Sequence, residues 1–165
     1  MRMNGQVSRK CFYLAVGLFL LVALPLFCAA SEPADEVAGY WFTDDKSCIF
    51  NIYKEGDGYV GDICWLSEPG KKDGTPYTDE HNPSPELRSK PLVGLRQLKV
   101  FRYAGGKLWE GGTIYNPEDG RSYSSFLRLK DDGRLEVRGY ILGLSILGGS
   151  TFWTRTGKPA ISDNN

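Results

Sequence analysis

From Gly39 to Thr156 the chain repeats one pattern, a short run of β-branched and aromatic residues followed by a turn rich in glycine, aspartate or asparagine. Runs of this kind, bounded by turn residues, are the mark of antiparallel strands joined by hairpins. Tyr40–Thr43, Cys48–Tyr53 (CIFNIY) and Tyr59–Leu66 (YVGDICWL) come first, with Glu55-Gly56-Asp57-Gly58 as a hairpin turn. Leu95–Tyr103, Lys107–Tyr115, Ser122–Leu129 and Leu135–Ile141 follow, separated by Ala104-Gly105-Gly106, Asn116–Gly120 and Asp131-Asp132-Gly133. An apolar connector, Leu142–Gly149, leads to the last run, Ser150–Thr156. No stretch beyond the first thirty residues sustains a 3.6-residue apolar period. The expected fold is all-β, an eight-stranded antiparallel up-and-down barrel, because closure removes the exposed edges of a meander; a sandwich is the alternative. Gly111, Gly112 and Gly139, inside strands, mark sharp bends of a closing sheet or close approach of another segment.

Residues 1–30 have the build of a secretory signal: basic Arg2, Arg9 and Lys10, an apolar core from Cys11 to Leu24, a break at Pro25, and Cys28-Ala29-Ala30 before a cut. An uncleaved anchor is the alternative, since residues 11–30 are just long enough to span a bilayer. Cleavage predicts a mature chain from about Ser31, with a linker over 31–38, a barrel domain over 39–157 and a flexible tail over 158–165. No membrane span then remains, and the protein is expected in the periplasm or outside the cell. All 20 acidic residues follow position 30 while three of the 20 basic ones precede it, so the mature chain carries a net charge of about −3. That balance offers no basic footprint for nucleic acid.

Two cysteines leave with the signal, and Cys48 and Cys64 remain. An even pair in an exported protein argues for a disulfide. Folding the hairpin about Gly56 sets Cys48 opposite Cys64, but a two-residue turn at Gly56-Asp57 would shift the register by one. The alternative is a pair of free thiols packed as small apolar residues.

Gly39-Tyr40-Trp41 near the start of the barrel and Trp153-Thr154-Arg155 at its end resemble the calycin arrangement of lipocalins and fatty-acid-binding proteins. That resemblance implies Arg155 lying over Trp41 at one barrel end, with Gly39, Trp41, Trp153 and Arg155 in structural roles. A more specific series is Asn82-Pro83-Ser84-Pro85-Glu86-Leu87-Arg88-Ser89-Lys90-Pro91-Leu92-Val93-Gly94-Leu95, then Gly112–Tyr123, then Leu135-Glu136-Val137-Arg138-Gly139-Tyr140 and the Trp-Thr-Arg ending. This series is similar to the bacterial secreted family DUF2147 and covers nearly all of the mature chain. It implies a signal-bearing, lipocalin-like barrel of the bacterial envelope with no established reaction. Lys90 stands where the family usually has arginine, and Gly149 replaces an arginine often found in the last connector, which weakens the case for bidentate anion contacts there.

Catalytic chemistry is sparse. One histidine, no C-x-x-C pair and no His-x-x-x-His spacing argue against a metal site, and no cofactor is expected. Gly143-Leu144-Ser145-Ile146-Leu147 departs from the nucleophile elbow at its last position and lacks a strand-to-helix context. Asp131-Asp132 and Glu118-Asp119 sit in turns, where aspartate bonds its own backbone.

The unusual feature is DEHNPSPELRSKP, residues 79–91, inside the one long connection, 67–94. A connection of that length is usually functional or disordered. Ser84 followed by Pro85 reads as the start of a helical turn and Pro91 as its stop, which favours order across a barrel mouth. Asp79, Asn82 and Arg88 in this loop are candidate ligand-binding residues, with Tyr115, Tyr123, Arg138 and Tyr140 on strands. Strand alternation sends Glu136, Arg138 and Tyr140 to one face, either to water or to a rim where Arg138 would hold a carboxylate. The connector 142–149 is read as a cap over the barrel or, alternatively, as a contact surface. The leading expectation is a noncatalytic barrel binding a small, partly apolar or amphipathic ligand. The alternatives are a filled barrel that acts through its long loop in envelope interactions or stress, and an enzyme built from Asp79, Asn82, Arg88 and Arg138.

Overall fold

The structure is a computed structural model that describes residues 33–141 and 144–160, with residues 141 and 144–147 described by backbone alone. The expected signal segment and residues 161–165 of the expected tail lie outside the described residues. So do the side chains of the connector's apolar run, on which the choice between cap and contact surface rests.

Alternation along each strand builds a closed sheet. In β2 (Cys48–Glu55), Cys48, Phe50 and Ile52 enter the core while Asn51 and Tyr53 do not. β1 (Gly39–Phe42), β2, β3 (Gly58–Leu66), β4 (Arg96–Gly105), β5 (Leu108–Asn116), β6 (Arg121–Leu129), β7 (Leu135–Ile141) and β8 (Leu144–Thr156) pair in chain order. β8 then pairs antiparallel with β1, Arg155 opposite Trp41, which closes the barrel. The expected eight-stranded up-and-down barrel is therefore the observed one.

Two expectations about its parts are corrected. The connector before the last strand is largely strand: β8 begins at Leu144, opposite Ile141, and Gly148 and Gly149 pair with Tyr140 and Gly139. Glycine is needed there because a Cβ on Gly148 would lie 2.0 Å from the Gly139 carbonyl oxygen. The segment read as a linker contains a 3-10 turn, Pro33–Val37, whose Val37 is fully buried.

That turn seals one end. Trp41 Nε1 donates to the Val37 carbonyl at 2.8 Å and Trp109 Nε1 to the Ala34 carbonyl at 2.9 Å. Arg155 donates to the carbonyls of Ala38, at 2.8 Å, and Glu36, and its guanidinium carbon lies 4.2 Å from the Trp41 ring centroid. Tyr59 donates its hydroxyl to Asp35. Beneath this lid the lumen is solid: Trp41, Tyr59, Leu98, Phe101, Trp109, Leu127 and Leu135 are all buried. Gly61 and Gly112 make room for two of them, since a Cβ would stand 2.7 Å from Leu98 and 2.5 Å from the Phe101 ring.

The β4–β5 pair bends at one place. Val100 adopts φ 55 and Gly111 φ 74, between the paired residues Lys99↔Thr113 and Arg102↔Glu110. Left-handed backbone is costly for a β-branched residue, so Val100 stores strain that the closed sheet imposes.

The anticipated disulfide is not formed, and both cysteines are free thiols. The hairpin turns at Gly56-Asp57 with Glu55 opposite Gly58, which shifts the register by one. An irregularity between Ile49 and Phe50 leaves Cys64 out of the pairing and shifts it by one more, so Cys48 faces Leu66. Cys64 Sγ instead donates to the Ile49 carbonyl at 3.2 Å.

Gly39→Ala is expected to destabilise the fold by ~2 kcal/mol or more in denaturant titration, because Gly39 has φ 129 and a Cβ would lie 2.6 Å from Arg155 Nη1. Val100→Gly is expected to raise stability by about 1 kcal/mol in the same measurement, by releasing the left-handed strain. A neutral or destabilising result would show that the bend carries no strain.

Candidate functional site

The turns at the opposite end leave the barrel open. There a cavity of about 590 Å³ is lined by residues from β2, β3, β4, β5 and β8, so it is the lumen itself. Its walls are apolar: Phe50, Ile63, Leu66, Ile114 and Trp153 from strands, and Leu92 from the long connection. Phe50 and Trp153 stack with ring centroids 4.4 Å apart and planes 15° from parallel. A second lobe of about 340 Å³ shares Gln97, Ile114, Asn116 and Thr151 with the first and adds Tyr123, Val137 and Gly139. Gly139 and Ser125 explain the space, since large side chains there would fill the lumen as Leu127 and Leu135 do nearer the closed end.

Thr43, Ser47, Gln97, Asn116 and Thr151 add neutral polar groups to the lining, while charge is confined to one place. At the mouth stand Asp44, Asp45 and Glu118, all in turns and exposed. Asp45 accepts from the Thr43 hydroxyl at 2.7 Å and from both the backbone and hydroxyl of Ser47, bonds that hold its carboxyl below the usual range. Trp153 Nε1 is closed off from the cavity and has no hydrogen-bond partner among the described residues.

The long connection folds beside this mouth as an ordered latch. It is braced by bridges Gly70↔Pro76 and Thr78↔Pro91, and the expected helical turn is present as a 3-10 turn, Pro85–Leu87. Ser84 does not cap it through its hydroxyl; its N–H donates to Asn82 Oδ1 at 2.9 Å. Asp79 is 1% exposed and accepts from the Tyr115 hydroxyl at 2.7 Å and from Asn82 Nδ2 at 2.6 Å. A buried carboxylate needs such donors, and here both oxygens have one. Gly120 in the β5–β6 turn meets the same loop so closely that a Cβ would lie 2.0 Å from the His81 carbonyl oxygen.

Of the candidates named from sequence, Asp79, Asn82 and Tyr115 thus form one cluster, with Arg88 Nε donating to the Asn82 carbonyl at 2.7 Å. They fasten the loop to the barrel. Tyr123 lines the lumen's second lobe, and its hydroxyl donates to Asp119. Arg138 stands on the strand face opposite core residue Val137, donating to the Ser150 hydroxyl at 2.9 Å, so it is not at the luminal rim. Tyr140 packs near Phe126, with ring centroids 6.5 Å apart. Sequence reasoning missed Asp44, Gln97, Glu118 and Thr151, and gave Trp153 only a structural role. For Gln97 and Thr151 the signal available was strand alternation carried toward the open end, where small or polar residues replace large ones; Asp44 and Glu118 sit in turns, to which alternation does not apply. Among the described residues no group of three or more His, Cys, Asp or Glu is placed to hold a metal ion.

Burial first, then the bond to Asp79, pushes the Tyr115 hydroxyl up to about 12, and burial pushes the Cys48 thiol up to about 12. Each group holds its proton more tightly folded than unfolded. Their contribution is intact below the unfolded values, about 8.5 for cysteine and 10 for tyrosine, and is lost as pH rises toward 12. Stability should therefore fall on alkaline titration across that window. Tyr115→Phe, which leaves Asp79 one donor short, should cost ~1–3 kcal/mol and speed amide exchange in residues 77–92. Unchanged exchange there would show that the bond does not hold the loop.

Comparison with known proteins adds the following. A search among curated proteins found no match. A solved structure described as "Protein HP1028 from the human pathogen Helicobacter pylori belongs to the lipocalin family" superposes with a TM-score of 0.63 at 21% identity, covering 73% of this chain and 82% of that one. At that identity the likeness shows the fold. The family described as "Uncharacterized protein conserved in bacteria (DUF2147)" matches residues 39–155, the span of the barrel. With that match over most of its length and a lipocalin-like barrel with one sealed and one open end, the chain belongs to the DUF2147 family.

Proposed function

We propose that the protein is an exported carrier or sensor that binds a small, partly apolar ligand in the open half of its barrel, without catalysis. The observation that carries this reading is the cavity of about 590 Å³ with apolar walls and a polar mouth. That volume lies in the range of small-molecule sites, and a lumen of this kind removes most of a ligand's apolar surface from water. The lipocalin-like barrel supports the same reading at the level of fold. Export to the periplasm or beyond rests on the basic, apolar and small-residue segments of residues 1–30.

The geometry gives little support to an enzyme built from Asp79, Asn82, Arg88 and Arg138. Asp79 is committed to Tyr115 and Asn82, whereas Arg138 lies on β7, two strands away from Tyr115. A role in contacts through the long loop has one supporting observation, the exposure of Leu87 and Val93 on it.

An environment-sensitive apolar dye should bind the purified mature chain at a single site. Thr151→Trp, which places a large side chain on the shared wall of both lobes, should weaken that binding at least tenfold with the thermal transition retained. A folded variant that binds dye as well as the natural chain would refute luminal binding. Mass measurement of the protein from a periplasmic extract should give a chain starting near Ser31.

A further inference from the structure

The two lobes of the lumen meet at Gln97, Ile114, Asn116 and Thr151, which line both. Three of these are polar and none is charged. To one side of this waist lie Phe50, Ile63 and Leu66, and to the other Val137 and Gly139, all apolar. The backbone turns the polar groups inward. Thr151 pairs with core residue Val137, and Asn116 stands two residues beyond luminal Ile114, so alternation places both on the inner face. Gln97 and its neighbour Leu98 both reach the interior because β4 bulges there. Gly61 pairs with Leu98 and Asp62 with Arg96, which leaves Gln97 out of the pairing. Bulges of this kind re-aim a side chain.

The hydrogen-bonding capacity of the waist is unfilled. Of the five neutral polar side chains around the first lobe, Thr43 and Ser47 are committed to Asp45. Asn116 Oδ1 accepts from the Glu118 N–H at 3.0 Å. Asn116 Nδ2, the Gln97 amide and the Thr151 hydroxyl have no partner among the described residues. Trp153 Nε1 alone among those residues is both closed off and unpartnered, so the unpartnered groups of half-buried Gln97, Asn116 and Thr151 are accessible from the lumen they line.

A ligand that fills both lobes displaces water from these groups. A wholly apolar chain would strand them, and desolvated polar groups without partners are costly. The waist therefore selects for a polar group in the middle of an otherwise apolar molecule. Asn116 Nδ2 donates, while Gln97 and Thr151 each donate and accept. Gln97 is on β4 and Thr151 on β8, four strands apart in a ring of eight and hence on opposite walls. A trans secondary amide directs its N–H and its C=O oppositely, so that one meets each wall.

We infer that the lumen takes a neutral molecule with a secondary amide between two apolar arms, the amide held at the waist by Gln97, Asn116 and Thr151 and one arm lying in each lobe. This rests on the luminal reading above and goes further by assigning the ligand's central group.

Three probes of matched length test the assignment: N-hexylhexanamide, its N-methyl derivative, which lacks the N–H, and hexyl hexanoate, an ester that only accepts. Each displaces the apolar dye from the natural chain and from Gln97→Leu/Thr151→Val, in which apolar side chains of similar size replace both groups. The reading is the ratio of ester to secondary-amide dissociation constants, because each probe's own hydration cancels between the two chains. That ratio should fall at least about tenfold in the double variant, and the same ratio taken with the N-methyl amide in place of the ester should fall likewise. Thr151→Val alone should lower both ratios at least about threefold, which keeps the test available if the double variant loses its melting transition.

Smaller falls in folded variants would overturn the amide contact while leaving luminal binding intact. Failure of all three probes to displace a dye that does bind would overturn it too. If the dye itself does not bind the natural chain, the luminal reading fails and this inference fails with it.

Discussion

The contact of Arg155 with Trp41 is where the barrel becomes a closed object. These residues face each other across the seam between the last strand and the first, so the guanidinium over the indole ties together the two ends of a meander that no hairpin joins. A cation over an aromatic face contributes roughly 0.5–2 kcal/mol, and here the same guanidinium also satisfies the carbonyls of Glu36 and Ala38. The arrangement requires Gly39, both for its backbone conformation and for the space that Arg155 occupies. It thereby fixes the 3-10 turn Pro33–Val37 across the barrel end, where Trp109 and Tyr59 also hold it.

That sealed end sets the division of the interior. Near it, tryptophan, tyrosine, phenylalanine and leucine fill the lumen, and glycines at 61 and 112 make room for Leu98 and Phe101. Toward the other end Ser125, Gly139 and Thr151 replace bulk, and the lumen opens into connected lobes. Stability and cavity are separated along the barrel axis. Close packing in one half holds the strands in register while the other half remains unfilled.

The long connection belongs to this second half but works from outside the barrel. Its buried Asp79 accepts from Tyr115, which follows luminal Ile114 and itself borders the second lobe. Leu92, on the returning limb of the loop, supplies part of the cavity wall. The loop's charge and proline thus serve mainly to anchor and stop the chain, so that one apolar residue is delivered to the mouth.

The strand count, the hairpin order and closure were legible in the sequence, because two-residue alternation and glycine turns are local properties that survive into the fold. The pairing of Gly39, Trp41 and Arg155 was legible as a resemblance. Residues within one loop that meet one another, such as Asp79 and Asn82, were also within reach of local reasoning. Cross-strand register was not: a two-residue turn and an unpaired Cys64 together moved Cys48 from Cys64 to Leu66. Nor was the extent of β8, whose apolar start reads as a connector until β7 supplies its hydrogen-bonding partner. Above all, the volume and charge of the lumen were decided only in three dimensions, since a cavity is the space left where residues distant in sequence fail to fill a barrel. The sequence by itself determined an eight-stranded barrel with a tryptophan–arginine closure; the tertiary structure decided that one end is solid, that the other is open, and that the open end is acidic.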